Sequence, residues 1–348
     1  GRTWRSAGCD GPGGGVPAPE APLMRSPPVR RVVVAPLVLG AELALIAAAP
    51  VLAALAAVLS PLFGGRRPLR ALAFALAYAT SHVAAVGACA ALWAAGFEGR
   101  RAPHYAVLRW FVGAIARTAL RVARVGVTIH GSERAEAALG AGDRPVVVLS
   151  IHSGEGDSLL VLDHLLRRHR RRPRIVMHEA LGLDPLIDVI GRRLPNRFVD
   201  PRGGDIEAEI AAMSRGMGGR DAVLIFPEGG NFSAERRRRA IDRLLHRGHV
   251  EEAESARAMR HLLAPRPGGA LAALDGAPDA DVVFFAHHGF PAGMRDTWRA
   301  LPGPTRIAIE LWLVPAGDVP RGQDERIDWL FGWWRTLDAW VATRHAER

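Results

Sequence analysis

Ile151-His152-Ser153-Gly154-Glu155-Gly156-Asp157 stands at the end of a Val-rich run, residues 145–149, and leads into residues 158–166, which have helical spacing. The run reads as a buried strand and the periodic stretch after it as a helix. His152 therefore lies at a strand end, on the rim of a sheet. An acid five residues on can hold one imidazole nitrogen, fix the tautomer and leave the other nitrogen to take a proton from an alcohol. His152 and Asp157 are a candidate base and its orienter.

Outward from this block, six strand-like runs (residues 125–130, 145–149, 174–177, 222–226, 282–286 and 306–314) alternate with helix-like stretches. That order predicts an α/β domain with a central sheet flanked by helices. The fourth run leads into Phe226-Pro227-Glu228-Gly229-Gly230-Asn231. Sheets of this class place ligands at strand ends, so His152 and Glu228 are expected to share a cleft.

The two blocks resemble the glycerolipid acyltransferase family, the 1-acylglycerol-3-phosphate acyltransferases and their relatives, which carry N-H-x-x-x-x-D followed by F-P-E-G-T-R. His152, Asp157 and Phe226-Pro227-Glu228-Gly229 match. Ile151 replaces the family Asn, Gly230 the Thr, and Asn231 the Arg used towards the acceptor's phosphate. Weaker likeness in Arg174-Ile175-Val176-Met177, Leu183-Asp184-Pro185, Phe198-Val199-Asp200-Pro201-Arg202, residues 262–274 and Val282-Val283-Phe284-Phe285-Ala286 keeps the family order.

The resemblance implies an O-acyltransferase of phospholipid biosynthesis or remodelling. Acyl-CoA or acyl carrier protein would be the donor and a lysophospholipid the acceptor. His152 would deprotonate the acceptor hydroxyl, Asp157 would orient it, and Glu228 and Gly229 would form the acceptor-binding turn. Arg202 would take over the phosphate from the missing Arg, or else the acceptor carries no phosphate. No cofactor and no metal is called for. Backbone N–H groups around residues 154–157 are candidate oxyanion donors. The competing classes are a serine hydrolase, weakened by the lack of a G-x-S-x-G elbow, and a non-catalytic membrane scaffold.

The 348 residues carry a formal charge of +10, and all 45 basic residues are Arg. The charge suits anionic membrane lipids and the phosphates of a CoA thioester; no nucleic-acid motif accompanies it. Cys9 and Cys89 make neither a disulfide framework nor a metal site. Residues 32–62 and 71–97 are each long enough to cross a bilayer, for which about 20 apolar residues suffice. With Gly64-Gly65-Arg66-Arg67-Pro68 as the turn, they predict a transmembrane helical hairpin over residues 31–98. A disordered Gly/Pro-rich tail (1–30) precedes it, and the acyltransferase domain (99–348) follows. A span over 43–62 would leave Glu42 at the membrane boundary. The alternative is a pair of core helices or a re-entrant hairpin kinked at Pro50.

Arg25, Arg30 and Arg31 before the hairpin and Arg100, Arg101 and Arg109 after it outnumber Arg66, Arg67 and Arg70 in the turn, which places the domain on the cytoplasmic side. Residues 104–124 read as a basic amphipathic helix, lying on the membrane or packed on the domain. Trp329, Trp333, Trp334 and Trp340 share a helical stripe that fits core packing, with interface anchoring the alternative. Arg236 to Arg239 read as a solvated face or a contact to CoA or lipid phosphate. His287 and His288 point to opposite faces of a strand and read as core or rim residues.

Overall fold

Residues 26–152, 154, 156–199, 204–290, 298–299 and 305–347 are described by the structure, a computed structural model. Seven strands, β1 Val125–His130, β2 Val146–Ser150, β3 Arg172–His178, β4 Arg197–Val199, β5 Asp221–Ile225, β6 Asp281–His288 and β7 Thr305–Val314, form one sheet ordered β1-β7-β6-β2-β5-β3-β4. All neighbours pair in parallel except β6 with β7. The six expected runs are all strands. The short β4 was not anticipated, because three residues carry no period.

β2 is buried along its whole length, as a parallel strand covered on both faces must be. Val147 and Leu149 point into one core and Val146 and Val148 into the other. The helix Gln323–Ala346 closes the first core: Trp334 is fully buried and Trp333 stacks on Phe284 at 4.4 Å. The Trp stripe is therefore core packing. Because Leu149 pairs with Ile225, β2 and β5 end side by side, and the loops after them emerge together.

The first N-terminal apolar run is not one straight helix. Ala35–Ala47 and Ala49–Leu59 meet at a 65° bend, with Pro50 in the first turn of the second helix. The second run is the continuous helix Arg67–Ala94. Among the described residues, this is one helix long and apolar enough to cross a membrane, or two spans if the bent pair counts as one. Glu42 lies inside the first of these helices, 2.8 Å from His82 Nδ1. A carboxylate largely withdrawn from water is stabilised by such a partner.

The same ring reaches out of the hairpin. His82 Nε2 lies 3.1 Å from Asp184 Oδ1, Tyr78 donates to Asp184 Oδ2 at 3.1 Å, and Arg30 pairs with Asp188 at 3.2 Å. These polar links tie the helices to the sheet domain. Val32, Leu37, Leu43, Val51, Leu55, Val58, Leu62 and Trp93 remain exposed on them. The basic helix, Arg101–Ala123, is packed into the domain, with Tyr105 donating to the Pro173 carbonyl at 3.0 Å and Arg109 to that of Leu166 at 2.9 Å. The expected tail, residues 1–30, falls almost wholly outside the described residues.

Candidate active site

His152 follows β2, and Asp157 opens the helix Asp157–Asp163. Gly156, at φ 93°, makes the reversal between them in a conformation that residues with a Cβ rarely adopt. His152 Nδ1 lies 2.8 Å from Asp157 Oδ2. Asp157 is buried and accepts further bonds from the N–H groups of Gly154 (3.3 Å) and Ser158 (2.5 Å). Burial opposes its charge, but the hydrogen bond from His152, the neighbouring His287 and the Gly154 N–H hold its carboxyl below the usual range. An ionised Asp157 fixes the proton on Nδ1 and leaves Nε2 as the basic nitrogen of a half-buried imidazole. The Gly154 N–H, one of the oxyanion donors expected over residues 154–157, is spent on Asp157.

The Phe-Pro-Glu-Gly block supports this pair directly. Phe226 lies against the His152 ring at 4.8 Å between centroids. Glu228 turns its carboxylate onto backbone, accepting from His152 N–H and Leu263 N–H, each at 2.9 Å. Burial pushes Glu228 up to about 8, against those two donors, with the charges of Asp157 and Asp338 adding to the rise. Its side chain braces the His152 loop.

Sequence reading placed His287 in the core or rim and gave it no part in the site. It is fully buried, with Nε2 3.1 Å from the Ile151 carbonyl and 3.8 Å from Asp157 Oδ2, and burial pushes its pKa down. β6 is the other neighbour of β2, with Ser150 paired to Phe285, and His287 is two residues further on the same face. Its position on the run after residue 282 was visible, but the sheet order that brings it to Asp157 was not.

Residues 126–274 match the family model for acyltransferases. The chain carries an acyltransferase domain. Among solved structures it is similar to the 1-acyl-sn-glycerophosphate (LPA) acyltransferase PlsC from Thermotoga maritima. That match has 14% identity and a TM-score of 0.46 and covers 70% of this chain and 81% of that one. No curated protein matches the chain.

Beside the dyad, the acyltransferase domain holds a basic pocket of 250 Å³. Glu228, Gly229 and Gly230 line it together with Arg236, Arg239 and Arg243 of the helix Ala234–His246 and with Arg266. The two glycines let the cations close in: a Cβ on Gly229 would come within 2.9 Å of the Arg266 guanidinium, and one on Gly230 within 2.8 Å of Arg236 Nη1. Their φ values, 67° and 155°, also favour glycine. A Thr at position 230 would require the end of the Arg236 side chain to shift. Desolvation and the charges of Arg243, Arg236 and Arg247 push Arg266 below its usual range. Its side chain still reaches solvent, which weakens both effects. Asn231 binds no part of that cluster through its side chain, and its Oδ1 is buried without a hydrogen-bond partner among the described residues. Arg202, the expected phosphate ligand, lies outside the described residues, as do Ser153 and Glu155.

Proposed function

We propose that the chain is a membrane-anchored lysophospholipid O-acyltransferase whose acceptor carries a phosphate, with acyl-CoA or acyl carrier protein as donor. The observation that carries this reading is the hydrogen-bonded His152–Asp157 pair one side chain away, through Glu228, from a pocket of four arginines. His152 Nε2 takes the proton of the acceptor hydroxyl as its oxygen attacks the thioester carbonyl. Asp157 stabilises the imidazolium that forms. Collapse of the tetrahedral intermediate breaks the C–S bond, and the thiolate leaves with the proton returned by His152. The acceptor supplies the nucleophile, so no protein side chain is acylated.

Arg236, Arg239, Arg243 and Arg266 take the role of the phosphate-binding Arg that Asn231 cannot play, since an amide offers no charged fork. A phosphate in the pocket would relieve the repulsion among them. The exposed apolar face of the N-terminal helices supports membrane anchoring, and the Arg distribution supports a cytoplasmic domain. A serine hydrolase fits less well: the Ser158 hydroxyl donates to Asp157 at 3.2 Å instead of facing His152.

Detergent-solubilised protein is mixed with acyl-CoA, and free thiol is followed with lysophosphatidic acid, with a lysolipid lacking a phosphomonoester, and with no acceptor. Thiol release that depends on lysophosphatidic acid is expected. Equal release without acceptor would replace the reading by thioester hydrolysis. Preference for the other lysolipid would remove the phosphate assignment and keep the transfer.

A further inference from the structure

On the far side of the sheet domain from the arginine pocket's helix, two buried histidines and an acid converge on one point. Glu136 lies on the helix Glu133–Ala141. His164 and His169 lie at the end of the segment that begins with Asp157, where the helix widens into a π turn over His164–Arg168 and the His169 N–H returns to the His164 carbonyl at 3.3 Å. In a regular α-helix, residues five apart point about 140° away from each other. The π turn brings both rings onto one side, and such turns recur at functional sites.

His164 Nε2 is 2.7 Å from Glu136 Oε1, His169 Nε2 is 3.3 Å from the same oxygen, and the two nitrogens are 3.3 Å apart. Protons on both nitrogens would compete for one oxygen while crowding each other. Three lone pairs directed at a cation have no such conflict. A triangle with these sides leaves a point about 2 Å from all three corners, which is the zinc–nitrogen and zinc–oxygen distance. Neighbouring ligand atoms of a tetrahedral zinc lie roughly 3.3 Å apart, as two of the three edges do.

The surroundings suit a metal-ligating set. Arg168 Nε donates to Glu136 Oε2 at 2.6 Å, leaving Oε1 to face the histidines, and second-shell bonds of this kind orient ligating carboxylates. Phe285 packs edge-on to the His164 ring at 5.4 Å and fixes its plane. The histidines are buried, while Glu136 is partly open to solvent, which gives an entry path.

We propose that Glu136, His164 and His169 bind one divalent transition-metal ion, zinc by ligand type, through the three atoms that converge here. The ion is structural. It pins the C-terminal end of the segment whose first residue is Asp157 to the helix Glu133–Ala141, away from His152 and from the acyl-transfer chemistry.

The test uses the full-length, tag-free protein in detergent, stripped with a chelator and dialysed. Calorimetric titration with Zn²⁺ should give one site per chain, and Co²⁺ should give the visible absorption bands of a tetrahedral site in the wild-type protein, with no variant required. His169→Gln and Glu136→Gln should each weaken zinc at least about tenfold, and His164→Gln with His169→Gln together should abolish it. His152→Ala should bind as the wild type does, which excludes ligation at the dyad. Zinc should raise the unfolding midpoint of the wild type and leave that of the double variant unchanged. Absence of a stoichiometric site, an octahedral cobalt spectrum, or equal binding by the double variant would overturn the proposal.

Discussion

The carboxylate of Glu228 and the backbone of His152 are directly joined: His152 N–H donates to Oε1 at 2.9 Å, while Leu263 N–H donates to Oε2 at the same distance. One side chain thus locks the loop after β2 to the turn after β5 and to the segment before residue 267. The two sequence blocks are coupled mechanically. Glu228→Ala leaves two buried N–H groups without partners, at about 1–3 kcal/mol each. The variant is expected to lose about 2–5 kcal/mol of stability by denaturant unfolding and to show a lower kcat with a smaller change in KM. An unchanged unfolding midpoint would show that water replaces the carboxylate.

Glu228 also sets a pH dependence of stability. Its folded pKa, about 8, lies above the ordinary 4.5. The folded state therefore holds this proton more tightly than the unfolded state. The stabilisation is complete below 4.5 and is lost as pH rises towards 8, by at most on the order of 5 kcal/mol. Glu228→Gln has no such titration, so its unfolding midpoint should fall less steeply between pH 5 and 9 than that of the wild type. Parallel curves would mean that Glu228 stays ionised throughout.

His152→Ala is expected to lower turnover by about 10²- to 10⁴-fold while leaving the fold intact, because the ring is half-buried at the sheet rim. Asp157→Asn should be severely impaired as well, since the amide cannot stabilise imidazolium. The lowered folded pKa of Asp157 gives stability that is present above 3.8 and lost as pH falls through the folded value. The Asn variant should therefore show a flatter acid limb in unfolding. Wild-type turnover in His152→Ala would eliminate the base.

The sheet was legible because β-branched runs such as residues 146–148 and 282–283 have no polar face to misread. The dyad was legible because its members are five residues apart and bracket a Gly-rich turn. What stayed hidden depends on partners distant in the chain. The bend at Ala48 interrupts a run that is apolar on both sides of it, and only the pairing of Glu42 with His82 shows why that acid is tolerated. The bracing role of Glu228 needs Leu263, and the approach of His287 to Asp157 needs β6 to lie beside β2. Arg236 to Arg239 read as a solvated face or a phosphate contact, and only the fold gathers Arg236 and Arg239 with Arg243 and with Arg266, from another segment, around one pocket.

His82 holds two carboxylates, Glu42 and Asp184, one on each ring nitrogen. His82→Leu would leave both acids facing an apolar side chain, and Asp184 also caps the helix Pro185–Arg193 through Ile187 N–H. The change is expected to cost about 3–5 kcal/mol and to loosen the N-terminal helices from the domain. Limited proteolysis between residues 94 and 101 should become faster. Carbonate should extract neither the wild type nor this variant from membranes, because the apolar helices are intact. Quantitative extraction of the wild type would show that those helices do not span.

The last prediction concerns the acceptor. Arg266 and Arg236 close over Gly229 and Gly230, and in the proposed function the pocket they line takes the place of the charge that Asn231 lacks. Arg266→Ala should raise the KM for lysophosphatidic acid by about 10- to 100-fold, since hydrogen bonds to charged groups contribute about 1.5–3 kcal/mol. It should leave the KM for acyl-CoA unchanged. Gly230→Thr, which restores the family residue, should act in the same direction by shifting the end of the Arg236 side chain, and Gly230→Ala should show the steric part alone. Steady-state kinetics with each substrate varied in turn separate these outcomes. If Arg266→Ala raises the donor KM instead, the pocket holds the phosphates of CoA, and the acceptor's phosphate must be bound elsewhere.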